Sequence, residues 1–124
     1  MAQSVLPDSW YTLSVAKDVD ISKPGIYCWV IDGVESYIGK YSDKKRPTQH
    51  YGHIVARKLA SKRYRKSNPN GFRRVHIALC CAVANKRLIE LRILENVEPA
   101  RLQERETELI RQKQPMLNGP AVAI

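Results

Sequence analysis

PGIYCWVIDGVESYIGK, residues 24–40, holds two β-rich runs around Asp32-Gly33, and their register decides which side chains share a face. Ile26 to Ile31 and Val34 to Ile38 favour extended backbone, and the Asp-Gly pair between them signals a turn. Two registers are open. A two-residue turn pairs Ile31 with Val34 and sends Tyr27 and Tyr37 to opposite faces. A three-residue loop, Ile31-Asp32-Gly33 with glycine in the left-handed position of a bulge, pairs Val30 with Val34 and sets Tyr27 directly opposite Tyr37. The second register also gathers Ile26, Cys28, Val30, Val34 and Ile38 on the other face, an apolar core face, so burial favours it. Gly25 and Gly39 flank the tyrosines on their own side. That leaves the surface beside the phenols bare and predicts a polar pocket there, open to a backbone or a phosphate.

Outward from the hairpin, residues 1–23 read as a loosely patterned lead-in ending in the turn Lys23-Pro24-Gly25. A helix is expected over about Thr48–Ser61, and Ser67 to Gly71 breaks the chain. Phe72, Val75, Leu79 and Val83 then recur at helical spacing. Leu88 to Val97 alternates through Ile89, Leu91 and Ile93 as a strand does. After Pro99, Leu102, Leu109 and Ile110 mark a last helix ending near Pro115. The expected fold is α+β, a small antiparallel three-stranded sheet with flanking helices in the order ββααβα. Residues 24–118 form one domain and 119–124 a tail. A chain of 124 residues has room for one domain with a modest core.

The formal charge of +9 is distributed unevenly. Lys44, Lys45, Arg46, Arg57, Lys58, Lys62, Arg63, Arg65, Lys66, Arg73 and Arg74 follow one another with no acid between Lys44 and Arg74. Such a strip concentrates polyanions and binds phosphates with release of counterions, although a solvated face has the same composition. Tyr51, Tyr64 and Phe72 lie within it, available to stack on bases or to pack in a core. Cys28, Cys80 and Cys81 form an odd set without metal-ligand spacing, which argues for a reducing compartment and against a disulfide framework or structural zinc. The longest apolar run, Ile77 to Ala84, is too short to span a bilayer, and no secretory signal is visible, so the expected location is cytoplasmic and away from membranes.

In the last helix Glu106 falls four residues after Leu102, three before Leu109 and four before Ile110, on the buried stripe. A carboxylate there needs a partner, which can be a basic side chain in a structural ion pair or a hard cation such as Mg²⁺ held with waters and a phosphate.

Gly25-Ile26-Tyr27, nine residues between its tyrosine and the next, and then Tyr37-Ile38-Gly39 resemble the signature of the GIY-YIG nucleases. Glu106, with Asn118 twelve residues later in ELIRQKQPMLN, resembles the matching segment of the family's bacterial excision-repair members. The resemblance covers about residues 24–118. It implies a metal-dependent endonuclease acting on DNA, with RNA left open, that uses one Mg²⁺ (or Mn²⁺) per active site and leaves 5′-phosphate and 3′-hydroxyl ends. Carried over, Tyr27 is the general base or its hydrogen-bond partner, and Tyr37 orients the attacking water or the scissile phosphate. A phenol titrates near pH 10, so a base role near neutrality requires cations, which Lys40 can supply. Glu106 holds the metal ion, and Asn118 fixes the end of the last helix against the sheet.

The family's arginine has two candidates here. Arg46 with His50 four residues on fits if one loop residue is missing, with Pro47 at the first helical position. Arg57, one turn after His53, is the rival, and either would stabilise the charge developing on phosphate. His53 and His76 read as surface or packing residues, and the Cys80-Cys81 pair carries no chemistry. The alternative reading is a non-catalytic nucleic-acid-binding domain of the same fold. Target choice has no attached reading domain, only Tyr51 to Phe72. Cutting both strands of a duplex needs two sites, which a homodimer would supply.

Overall fold

The computed structural model describes residues 6–64, 67–68 and 71–118. Arg65 and Lys66 of the basic strip, and the tail 119–124, lie outside the described residues.

The hairpin strands are β2 (Gly25–Ile31) and β3 (Val34–Tyr41), and a later strand, β4 (Ile89–Asn96), pairs antiparallel with β2. A first strand, β1 (Thr12–Val15), lies parallel to the far side of β4, from Thr12 opposite Glu90 to Val15 opposite Ile93. The sheet is therefore four-stranded and mixed, in the order β1-β4-β2-β3, rather than three-stranded and antiparallel. All four residues of β1 are exposed, so no buried alternation announces it in the sequence. The segment before the hairpin is also tied down by aromatic packing, with Trp10 stacked on Trp29 at 5.2 Å between centroids. From Gly25 onward the α-helices and strands do follow the order ββααβα.

The turn itself differs from the favoured register. Ile31 faces Val34 across Asp32 and Gly33, whose φ angles of 50° and 81° make a tight two-residue turn. The extra residue sits further along β3, at Ser36. Val30 faces Glu35, and Trp29 faces Tyr37, so from one pair to the next β3 advances two positions and β2 one. This bulge restores the parity that the turn alone would break. Tyr27, Trp29, Tyr37, Gly39 and Tyr41 share one face after all. Tyr27 stands opposite Gly39 rather than Tyr37, with the two tyrosine rings diagonal at 6.4 Å. Val34, expected in the core, is 59% exposed beside the turn.

Both faces are covered. Ile26, Cys28, Val30 and Ile38 pack against Leu102 and Leu109 of α3 (Leu102–Lys113), which follows a short 3₁₀ turn, Pro99–Arg101. The tyrosine face is the larger core. It receives Tyr51 and Val55 from α1 (Tyr51–Leu59), and Val75, Leu79 and Ala82 from α2 (Arg74–Ala84). The expected open polar surface beside the phenols is thus mostly filled by two helices. Gly39 makes room for the phenol of Tyr27, which a Cβ there would strike, and Gly25 for the backbone carbonyl of Glu95. Neither glycine leaves a bare patch. Among the described residues no helix is long and apolar enough to cross a membrane.

Candidate functional site

Beside the edge strand β3 lies a cleft of about 440 Å³, lined by Tyr27, Tyr37, Gly39, Lys40, Ser42, Arg46, Arg73, Leu102 and Glu106. Strand alternation brings chemistry to it from both faces of the sheet. Tyr37 lies on the α1/α2 side, while Lys40, two residues beyond buried Ile38, lies on the α3 side. There Lys40 Nζ stands 3.8 Å from a carboxylate oxygen of Glu106, whose side chain is only 15% exposed. The apolar stripe of α3 delivers Glu106 as its spacing predicts, one turn from Leu102.

Arg46 opens a π-helical turn, Arg46–His50, that runs directly into α1. Pro47 is buried at its start, where a missing N–H costs nothing. A π turn closes over five residues rather than four. The helix that follows turns Tyr51, five residues beyond Arg46, into the core and leaves His50 facing solvent. His50 is exposed and lines an adjoining cavity of about 80 Å³ with Tyr51, Tyr64 and His76, which shares Arg46 and Arg73 with the cleft. Arg57 is also absent from the cleft, since its Nε donates to the carbonyl of Arg63 at 2.9 Å and closes the end of α1.

Tyr27, Tyr37 and the guanidinium of Arg73 form the inner wall, with Tyr51 behind them, bonded to Tyr27 and Arg73. Tyr27 is 1% exposed, and its hydroxyl lies 2.7 Å from that of Tyr51, itself 2% exposed. Burial, reinforced by neighbouring Tyr51 and Tyr37, holds the Tyr27 phenol well above its ordinary pKa. Burial likewise pushes Tyr51 up to about 12. Arg73, the residue capping α2, donates from Nη1 to the Tyr37 hydroxyl at 3.1 Å and from Nη2 to that of Tyr51 at 3.4 Å. Its own backbone N–H donates to Nδ1 of His76 at 3.0 Å. His76 is 1% exposed, and burial, aided by the charges of Arg73 and Arg46, lowers its pKa to about 4.

Asn118 grips the edge strand. Its Oδ1 accepts from the Ile38 N–H and its Nδ2 donates to the Ile38 carbonyl, both at 2.8 Å. The Leu117 N–H adds a bond to the Ser36 carbonyl at 2.9 Å. This clamp holds the strand segment that carries Tyr37 and Lys40.

The remaining described residues of the strip are not among those lining the cleft. Lys44, Lys45, Lys62 and Arg63 are exposed. Lys58 sits over the ring of Phe72 at 5.3 Å, and Arg74 bonds the carbonyl of Met116 at 3.0 Å. Tyr51 is core, and Tyr64 packs edge-on against Phe72 at 5.4 Å.

Among the described residues no three His, Cys, Asp or Glu side chains converge as a metal cage. Glu106 is the carboxylate that lines the cleft. One carboxylate beside open space suits a hard cation that keeps most of its waters, and it does not suit zinc. Sequence reasoning missed Tyr51 as a site residue and counted Arg73 only with the strip. The signal for Tyr51 was its five-residue spacing from Arg46. Set against protein-family models, curated proteins and solved structures, the chain matches none.

Proposed function

We propose that the chain is a metal-dependent endonuclease of the GIY-YIG type, hydrolysing phosphodiester bonds of DNA. The observation that carries this reading is the cleft itself. Tyr37, Lys40, Arg46 and Glu106 come from three segments spread over seventy residues, yet they line one opening. The order ββααβα from Gly25 onward and the Asn118 clamp on Ile38 support the same reading.

In this mechanism the hydroxyl of Tyr37, the half-buried phenol at the cleft, takes the proton of the attacking water as it gives up its own to solvent, which also supplies the proton of the departing 3′ oxygen. Tyr27 is too deeply buried for that task and acts as the hydrogen-bond partner that anchors Tyr51. Lys40 and Arg46 hold the phosphate oxygens and offset the charge that grows on them. Glu106 would hold Mg²⁺ or Mn²⁺, which when bound stabilises charge on phosphate and on the departing 3′ oxygen. Water adds to phosphorus, the bond to the 3′ oxygen breaks, and the ends are 5′-phosphate and 3′-hydroxyl.

The Lys40–Glu106 pairing favours one rival, a binding domain whose carboxylate is neutralised within the protein. End chemistry separates the two readings. Nicked plasmid from a reaction with Mg²⁺ should be resealed by DNA ligase without prior phosphorylation. Intact plasmid with retained DNA binding would favour the rival.

A further inference from the structure

Four of the five arginines in the C-terminal third are neutralised: Arg87 by Asp32, Arg92 by Glu90, Arg101 by Glu104, and Arg105 by Glu95 and Glu108. The two arginines of the cleft are not. Among the described residues neither Arg46 nor Arg73 has a carboxylate within ion-pair distance, and the one carboxylate lining the cleft stands beside Lys40. Three cations against one anion leave the walls with two surplus positive charges.

Arg73 is also held for use. Its guanidinium lies over the ring of Tyr37, 5.8 Å from the centroid, and two of its five N–H groups donate to phenol oxygens. Its backbone is fixed by the bond to His76. The remaining N–H donors have no acceptor among the described residues. A guanidinium already ordered by two phenols loses little entropy when an anion arrives, and its planar fork matches phosphate oxygens.

We propose that Arg73 is a second phosphate-gripping arginine, which closes a clamp on the scissile phosphodiester with Arg46 from the start of the other helix. The proposal rests on the nuclease reading and gives Arg73 the role that the sequence offered to Arg57. In it Arg73 touches the substrate, and Tyr37 and Tyr51 hold its guanidinium in place.

The test uses the full chain in two arms. In the first, plasmid cleavage with Mg²⁺ is followed for wild type, Arg73→Gln, Arg73→Lys and Arg73→Ala, each checked for native circular dichroism. The expected result is a kcat loss of about 100-fold in Arg73→Gln, partial recovery in Arg73→Lys, and partial rescue of Arg73→Ala by added guanidinium ion. In the second, binding of a labelled DNA duplex in chelator is measured against salt. Arg73→Gln should lower the slope of log affinity against log salt by about one, and Lys17→Gln, the same charge removed in the turn after β1, should not. If wild type does not cleave, the nuclease reading fails, and the binding arm still judges the clamp. Cleavage by Arg73→Gln within about twofold of wild type overturns the proposal. So does a salt slope that Arg73→Gln leaves unchanged.

Discussion

Tyr27 and Tyr51 share a hydrogen bond of 2.7 Å between two hydroxyls that the core almost completely hides from water. One hydroxyl must donate and the other accept, so removing that of Tyr51 strands the Tyr27 hydroxyl, and removing that of Tyr27 leaves Tyr51 the longer bond from Arg73. Tyr51→Phe or Tyr27→Phe alone should cost about 1–3 kcal/mol, and the double replacement clearly less than the sum. Urea unfolding of the four proteins gives the coupling directly. Because both phenols have raised pKa values, the unfolded chain loses these protons first. Stability should hold up to about pH 10 and fall as pH rises towards about 12.

His76 makes the opposite prediction in acid. Its folded pKa is lowered to about 4, so below about pH 6.5 the unfolded chain binds a proton that the folded one refuses. Stability should be insensitive to this group above pH 6.5 and fall by about 3 kcal/mol as pH drops towards 4. His76→Gln keeps an acceptor at the third helical position, which can still reach the Arg73 N–H. Denaturation midpoints of this variant should lose the corresponding part of the acid slope.

Asn118 supplies both a donor and an acceptor to Ile38 between Tyr37 and Gly39. Asn118→Ala should cost about 1–3 kcal/mol and loosen the strand that presents Tyr37 and Lys40. Asn118→Asp keeps the acceptor and loses the donor, and should fall between the two in thermal unfolding. A variant as stable as wild type would show that the clamp is dispensable.

The two arginine candidates of the first helical segment separate cleanly. Arg46→Ala should reduce kcat by about 100-fold, whereas Arg57→Ala, which removes a bond to the Arg63 carbonyl, should stay within about threefold. Single-turnover cleavage of a duplex by both variants decides between them.

Much of this architecture was legible in the sequence because it rests on alternation. The apolar face of Ile26, Cys28, Val30 and Ile38, the alternating β4 and the stripe of α3 all follow from burial on one side. Glu106 was legible for the same reason, as the acid on an apolar stripe. What escaped was set by pairing and by local backbone geometry. β1 exposes all four residues, and its ladder depends on the free edge of β4, eighty residues away. The extra residue of the hairpin went to Ser36 because Asp32 and Gly33 both accept positive φ and close the shorter turn. The π turn, which no four-residue spacing can reveal, leads into a helix that buries Tyr51 and leaves His50 exposed. Arg73 enters the cleft only because α2 packs beside α1, a tertiary fact hidden inside a run of like charges.

Whether the Glu106 cleft cuts DNA is decided by one assay. Supercoiled plasmid is incubated with wild type or Glu106→Ala, each in Mg²⁺ and in chelator, with DNA binding measured alongside. The account predicts relaxed or linear product from wild type in Mg²⁺ alone, and an uncut plasmid still bound by Glu106→Ala. Metal-dependent cleavage by both proteins at equal rates, or binding without cleavage by wild type, would contradict it.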